Sequence, residues 1–278
     1  MTLQLSQEEQ SESPLTAAID RPAALYPSPA PALPIVSFPS VSLVIPSKNE
    51  ARNLHFVLPR VPAWIDEVIL VDGASRDVSQ QVARECRPDI RIVSQSGPGK
   101  GTALRDGFAA AQCDVIVAMD ADGSMSPEEI PLYLHCLEQG YDFVKGSRFV
   151  AGGGSLDITT LRRVGNRGLL AAANILYGVR MTDLCYGFFA FRRRFLAHLD
   201  LRATGFEIET ELTVRAHLAG LRIAEIPSLE FPRRTGRSSL RSFQDGQRVL
   251  RTLLAERNRS SAPWQGPETL PSISERTP

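Results

Sequence analysis

Asp120-Ala121-Asp122 is where this 278-residue chain could most readily do chemistry. Two carboxylates two residues apart, just after an apolar run, can face one small space once a strand opens into a loop. Hard oxygen ligands of this kind suit a divalent cation such as Mg or Mn. Magnesium is usually held by one or two carboxylates together with substrate phosphates, and a cation there would neutralise a departing diphosphate. A pair of loop or capping carboxylates would look the same, so the weight of the motif comes from its company.

That company is a set of acids, each following an apolar run. Pro46-Ser47-Lys48-Asn49-Glu50 follows one, and Asp72-Gly73-Ala74-Ser75 follows another. Each is explicable alone as turn chemistry. Together they bring acids to three strand ends. Gly97-Pro98-Gly99-Lys100-Gly101-Thr102 opens a helix, where backbone N–H groups and a lysine suit an anion; a plain helix-starting turn is the other reading. It is not a Walker A loop, because Gly101 follows Lys100 where that loop has Ser or Thr. Arg233-Arg234-Thr235-Gly236-Arg237-Ser238 follows a later apolar run and suits phosphate oxygens through paired guanidinium hydrogen bonds. Glu207, Glu209 and Glu211 lie in one helical stretch. Glu207 and Glu211 share a face and Glu209 points elsewhere, so one of the three could serve as a base. The four His (His55, His135, His198, His217) form no metal spacing.

These residues need a scaffold that puts strand ends side by side, and the hydrophobic pattern supplies one. Apolar runs at 41–45, 67–71, 90–93, 114–119 and 142–145 alternate with helical stretches at 50–58, 77–85, 102–111 and 127–139. In the last of these, Ser126 can cap and Pro127 suits the first turn. Such alternation predicts βαβ units and a mostly parallel sheet flanked by helices, an α/β fold. Sheets of this kind bind ligands at the carboxyl ends of their strands, where the acids fall. The second half reads as a Gly-rich loop at 152–154, helices at 161–177, 206–218 and 240–257, and strands at 187–191 and 221–226.

Composition limits the function classes. With 43% hydrophobic and 22% charged residues the chain is ordinary globular material. Lys+Arg and Asp+Glu both number 31, which gives no electrostatic case for nucleic acid, and none is expected as a partner. Arginines gather between 192 and 259, a region that suits a diphosphate or an anionic membrane surface. Proline-rich 1–40 and polar 259–278 are expected to be disordered tails around one domain at 41–258. Four scattered cysteines fit a reducing cytoplasm. No secretory signal and no run of about 18 apolar residues is present, so a cytoplasmic protein is expected. In the last helix Leu240, Phe243, Leu250, Leu253 and Leu254 can line one stripe beside Arg241, Arg248 and Arg251. That stripe either packs on the domain or rests peripherally on the cytoplasmic face of a membrane.

Taken in order, the motifs at 44–50, 69–77, 99–101, 119–124, 146–148, 183–191 and 233–238 resemble family 2 glycosyltransferases of the nucleotide-diphospho-sugar (GT-A) fold. The likeness is closest to the dolichol-phosphate or polyprenyl-phosphate mannosyl- and glucosyltransferase branch. The resemblance implies that Pro46, Glu50 and Asp72 hold the base and ribose of a nucleotide-diphospho-sugar and that Lys100 lies near its nucleotide end. It implies that Asp120 and Asp122 bind donor and metal, Asp122 as a catalytic residue, that Arg148 and Arg233 meet phosphates, and that Ser238 binds the donor. It places Glu211 near the acceptor and implies inversion at the anomeric carbon by direct displacement. Were the acceptor a hydroxyl, Glu211, or failing it Asp183, would be the base; a lipid phosphate acceptor needs none. The sequence departs from the branch after Asp72, where Gly73 replaces a second acid. It departs again after Asp122, at Gly123-Ser124-Met125-Ser126-Pro127, and at Gly236-Arg237-Ser238-Ser239, where a lysine is missing. A non-catalytic nucleotide-sugar binding protein and a sugar nucleotidyltransferase are the competing readings. The latter usually carries a Gly-rich Arg loop after the first strand, and residues 46–50 contain no glycine.

Overall fold

In the computed structural model the described residues are 39–236, 240–257 and 259. The tails expected at 1–40 and 259–278 lie outside them apart from residues 39, 40 and 259, as does Ser238.

Four strands form the first half of a sheet: β1 (Val41–Ser47), β2 (Glu67–Asp72), β3 (Arg91–Ser94) and β4 (Val115–Ala118). They alternate with α1 (Ala51–Val57), α2 (Ser79–Cys86) and α3 (Lys100–Ala110). Then come α4 (Ile130–Glu138), β5 (Phe143–Ser147), β6 (Gly154–Ser155), α5 (Thr160–Tyr177), β7 (Phe189–Arg192), α6 (Leu196–Leu199), α7 (Ile208–Leu218), β8 (Ile223–Pro227), β9 (Leu229–Glu230) and α8 (Ser242–Arg257). The main sheet runs β3-β2-β1-β4-β7-β5-β8. All its pairings are parallel except those of β7, which lies antiparallel between β4 and β5. The mostly parallel sheet flanked by helices is the one the alternation predicts.

Both faces of the sheet are buried, so its strands are apolar throughout and still obey the period of two. Leu43, Ile45, Val68, Leu70, Val115 and Val117 point to the side covered by α1, α2 and α4. Val44, Ile69, Val71, Ile116 and Ala118 point to the side covered by α3 and α7. Phe189 and Phe191 of β7 join the second side, edge-on to Phe108 of α3. A third, smaller cluster joins α5, α7 and α8 around Ala173, Val214, Val249 and Leu253.

Two local expectations are corrected. Ser126 makes no side-chain cap. Residues Pro127–Glu129 form a 3-10 turn before α4, and the Ser126 hydroxyl accepts from Arg60 instead. The Gly-rich loop at 152–154 contributes Gly154 to a short parallel pairing of β6 with β9, which the sequence gives no sign of.

Candidate active site

The loops after β1 and β2 clasp each other. The Gly73 N–H donates to Ser47 O (2.8 Å), Asn49 N–H to the Ser75 hydroxyl (2.9 Å), and Arg76 N–H to Asn49 Oδ1 (2.7 Å). Glu50 and Ala51 at the start of α1 find their partners in the other loop, Ser79 Oγ (2.9 Å) and Asp77 Oδ2 (3.2 Å). Asn49 and Ala74 accept left-handed backbone to make this possible, with φ of 58° and 56°; such a conformation is costly for alanine. Asp72 is buried beneath. Its Oδ2 accepts from Gln80 (2.8 Å) and Ser75 N–H (3.3 Å), and its Oδ1 has no partner.

From this clasp a chain of charges crosses the strand ends. Arg233 donates to Glu50 and to Asp122 Oδ2 (3.2 Å). Asn53 donates to Glu50 and also holds the arginine loop, donating to Thr235 O (3.2 Å) and accepting from the Thr235 hydroxyl (2.8 Å). Asp122 Oδ1 accepts from the Ser124 hydroxyl (2.6 Å) and N–H (3.0 Å). Two residues back, Asp120 meets Lys100 at 2.5 Å, and Lys100 continues to Glu209 at 2.7 Å. Burial pushes the Asp120 carboxyl up to about 6; Lys100 opposes this, and the charges of Asp122 and Glu209 add to it. The cluster of Glu50, Asp122, Asp120 and Glu209 thus carries more negative charge than Arg233 and Lys100 balance.

The structure therefore brings Glu50, Asp120, Asp122, Lys100 and Arg233 together, with Asp72 and Pro46 on the adjoining strand tips. Other expectations it redirects. Arg148 does not face open space. Its Nε and Nη2 donate to Asp183 (2.7 and 3.0 Å), and its Nη1 to Glu230 (3.1 Å). Asp183 is fully buried in that pair and is not placed to take a proton from an acceptor. Glu211 is buried, and its carboxylate accepts the backbone N–H groups of Arg202 (2.9 Å) and Ala203 (2.7 Å), so it too is unsuited as a base. Within Gly97–Thr102 the backbone at Gly101 and Thr102 packs against residues 203 and 204, which leaves Lys100 as the group of this motif that faces the acids. The Thr102 N–H donates to Thr204 O (3.3 Å), and a Cβ on Gly101 would lie 2.5 Å from Ala203 O.

Glu209, one of three glutamates open as a base in the sequence, is the one the structure brings to the site. The i, i+4 relation of Glu207 and Glu211 marks a shared face but not which face meets the site, and the outlier between them is the one that reaches Lys100. Gly187 was missed. A Cβ there would meet Lys100 Nζ at 2.7 Å and Glu209 Oε1 at 3.0 Å, so only glycine leaves the lysine in place. Its presence in the Tyr186-Gly187-Phe188 string was a signal without a location.

For a cation, the candidate protein oxygens are those of Asp120 and Asp122, which Lys100, Arg233 and Ser124 engage here. Among the described residues no group of three His, Cys, Asp or Glu is arranged to hold a metal ion. The pair fits a Mg- or Mn-type site in which a diphosphate and water complete the shell, and the surplus negative charge around Asp120 is what such an ion would relieve.

Comparison with known proteins agrees with this arrangement. The family model "Glycosyl transferase family 2" matches residues 42–200. The chain is 32% identical over 213 residues to the glycosyltransferase AglJ of Haloferax volcanii, covering 74% of this chain and 68% of that one. It is 30% identical over 240 residues to an undecaprenyl-phosphate mannosyltransferase of Micrococcus luteus, covering 81% and 96%. Among solved structures, glucosyl-3-phosphoglycerate synthase from Mycobacterium tuberculosis, in complex with Mn2+, UDP-glucose and phosphoglyceric acid, superposes with a TM-score of 0.63. That likeness has 25% identity and covers 79% of this chain and 80% of that one. The mostly parallel sheet flanked by helices is thus that of a GT-A glycosyltransferase, and the chain belongs to glycosyl transferase family 2.

Proposed function

We propose that the protein is a metal-dependent, inverting hexosyltransferase that moves a sugar from a nucleotide-diphospho-sugar of the GDP-mannose or UDP-glucose type to a polyprenyl phosphate. The observation that carries this reading is the row Glu50–Arg233–Asp122 and Asp120–Lys100–Glu209 across the tips of β1 and β4. In it, cations able to meet a diphosphate alternate with acids able to meet a metal. Asp72, with one oxygen unpaired in a buried position, is the donor residue for base or ribose. An Mg or Mn ion held by Asp120 and Asp122 would supply charge neutralisation on the departing diphosphate. Arg233 and Lys100 add fixed positive charge on the same side, stabilising charge that develops as the anomeric C–O bond breaks.

The engagement of the acids supports a phosphate as acceptor. A hydroxyl acceptor needs a carboxylate within hydrogen-bond reach to take its proton. Glu211 and Asp183 are both consumed by internal bonds, and Glu209 is paired with Lys100. A phosphate acceptor is anionic already and needs no base. The dolichyl-phosphate hexose transferase of Haloferax volcanii, 29% identical over 222 residues, lends this reading support.

The test is a thermal-shift and hydrolysis panel of UDP- and GDP-sugars with Mn2+. A matching donor should raise the melting temperature only with the metal, and by more at pH 7.5 than at pH 5.0. The sign follows from Asp120. Its carboxyl, raised to about 6, must lose its proton before it can bind a cation, so affinity grows as pH rises through that value. No shift with any nucleoside diphosphate at either pH would end the transferase reading.

A lipid acceptor calls for a membrane-facing surface, and α5 with α8 offers one. Leu161, Val164 and Ile175 of α5 and Phe243, Leu250 and Leu254 of α8 are exposed. The stripe anticipated on the last helix thus divides, because Leu253 turns with Val249 into the core. The acids of the two helices, Asp245 and Glu256, are both buried, so the exposed surface of the pair is apolar, arginine or neutral polar. That composition suits an anionic lipid surface. Among the described residues no helix is long and apolar enough to cross a membrane. The full chain should float with vesicles containing an acidic lipid and not with neutral ones; absence from both would remove the membrane contact.

A further inference from the structure

The three glutamates at the start of α7 do two different jobs. Glu209 takes Lys100. Its neighbours on either side hold one short segment, residues 202–206: Glu211 accepts from the N–H groups of Arg202 and Ala203, and Glu207 from that of Gly205 (3.0 Å). That segment lies directly against the loop that carries Lys100. Thr204 O accepts from Thr102 N–H (3.3 Å), Ala203 O sits where a Cβ of Gly101 would be, and the Phe206 ring is 5.8 Å from Lys100 Nζ. The outer end is tied as well. Asp200 accepts from Arg202 (2.7 Å) and from Arg259 (2.9 Å), and Arg259 also donates to Glu256 of α8 (2.8 Å).

We infer that Glu211 is a positioning residue for Lys100, acting through the backbone strap 202–206 that presses on Gly99, Gly101 and Thr102. Both N–H groups converge on one carboxylate oxygen, Oε2 (2.9 and 2.7 Å), so a glutamine carbonyl with its two lone pairs can replace it and an aliphatic side chain cannot. With that anchor lost the strap relaxes, the Gly99–Gly101 turn follows it, and Lys100 leaves the geometry in which it bridges Asp120 and Glu209. The inference rests on the transferase reading only for its consequence in catalysis; the placement of Lys100 can be measured without it.

Lysine content makes the measurement direct. Of the 31 Lys and Arg residues only three are lysine: Lys48, Lys100 and Lys145. Lys48 is exposed, Lys100 is ion-paired on both sides, and Lys145 is fully buried with its Nζ on Tyr186 O (2.5 Å). Amine acylation of the full chain, read by peptide mass spectrometry, therefore contains its own exposed reference and its own core control. In Glu211→Leu, acylation of Lys100 relative to Lys48 should rise severalfold as the amine leaves Asp120 and Glu209 for solvent, while Glu211→Gln stays close to the wild type and Lys145 stays unmodified in both. Should Glu211→Leu also unmask Lys145, the variant has unfolded and Gly101→Ala decides. It displaces the strap from the opposite side and should raise Lys100 acylation in the same way. Unchanged Lys100 acylation in a folded Glu211→Leu, or in Gly101→Ala if the first variant unfolds, overturns the inference.

Binding of Mn2+ with UDP or GDP provides the second measurement. If Glu211 acts through Lys100, Lys100→Met combined with Glu211→Leu should weaken binding no more than Lys100→Met alone, whereas independent roles would add. Additive losses would overturn the inference. A wild-type protein that binds neither nucleotide would sink the transferase reading and leave the acylation result standing.

Discussion

Asp120→Asn should lower transferase turnover by about a hundred- to a thousandfold, the usual cost of removing one preorganised electrostatic group from a reaction centre, and should at the same time raise the melting temperature of the unliganded protein. The two effects have one cause. Asp120 stands among Asp122, Glu209 and a buried strand end, and Lys100 at 2.5 Å does not fully compensate. Its carboxyl is raised to about 6, above the ordinary value of 3.8, so folding favours the protonated form. The stabilising contribution of that proton is complete below about pH 4 and is lost as pH climbs through 6. At pH 7.5 the wild-type protein carries the cost of an ionised carboxylate that the Asn variant lacks, and at pH 4 the difference should close. Lys100 keeps Glu209 at 2.7 Å in the variant, so the site is not left with an unpaired ammonium. Turnover assays and melting curves at the two pH values check the pair of outcomes. A variant that retains turnover, or one that loses stability together with activity, would show that Asp120 serves the fold rather than the reaction.

Arg148→Leu should destabilise the protein by about 3–5 kcal/mol, the range for stranding a buried charge. Arg148 gives two nitrogens to Asp183, which has no exposed surface, and a third to Glu230, with the Tyr186 ring 5.0 Å from the guanidinium carbon. Lys145 cannot replace it, because its Nζ is committed to Tyr186 O. For a domain of this size such a loss lowers the melting temperature by on the order of 10 °C. Pairing the change with Asp183→Asn should restore much of it, since the neutral amide no longer needs a counter-charge. Urea unfolding of the two variants measures both steps. If Arg148→Leu instead leaves stability nearly intact and abolishes donor binding, the guanidinium serves phosphates, as the Gly146-Ser147-Arg148 motif suggests.

Local chemistry alone was enough to read the fold. Strands buried on both faces must be apolar at every position, and their alternation with helices admits few topologies, so β1 to β4 and α1 to α4 are legible from 41–139 to within a few residues. What alternation cannot carry is direction. β7 reads as a strand, but its antiparallel place between β4 and β5 depends on the path of the chain through α5. The strand-tip acids were legible for a related reason: in a parallel sheet, position after a strand is already position at the site.

Charges contributed by later segments behave differently. Asp183, Arg148 and Glu230 are 35 and 82 residues apart, yet they meet as one buried network that absorbs two residues read from sequence as reactive. Glu209 and Glu211 differ by two positions on one helix, and only the rotation of α7 against α3 decides which of them meets Lys100. Residue types and their spacing determined a strand-end site with two neighbouring acids, because that information is local. The partners of each charge were decided by packing, because a carboxylate takes whichever donor the folded chain brings within about 3 Å of it.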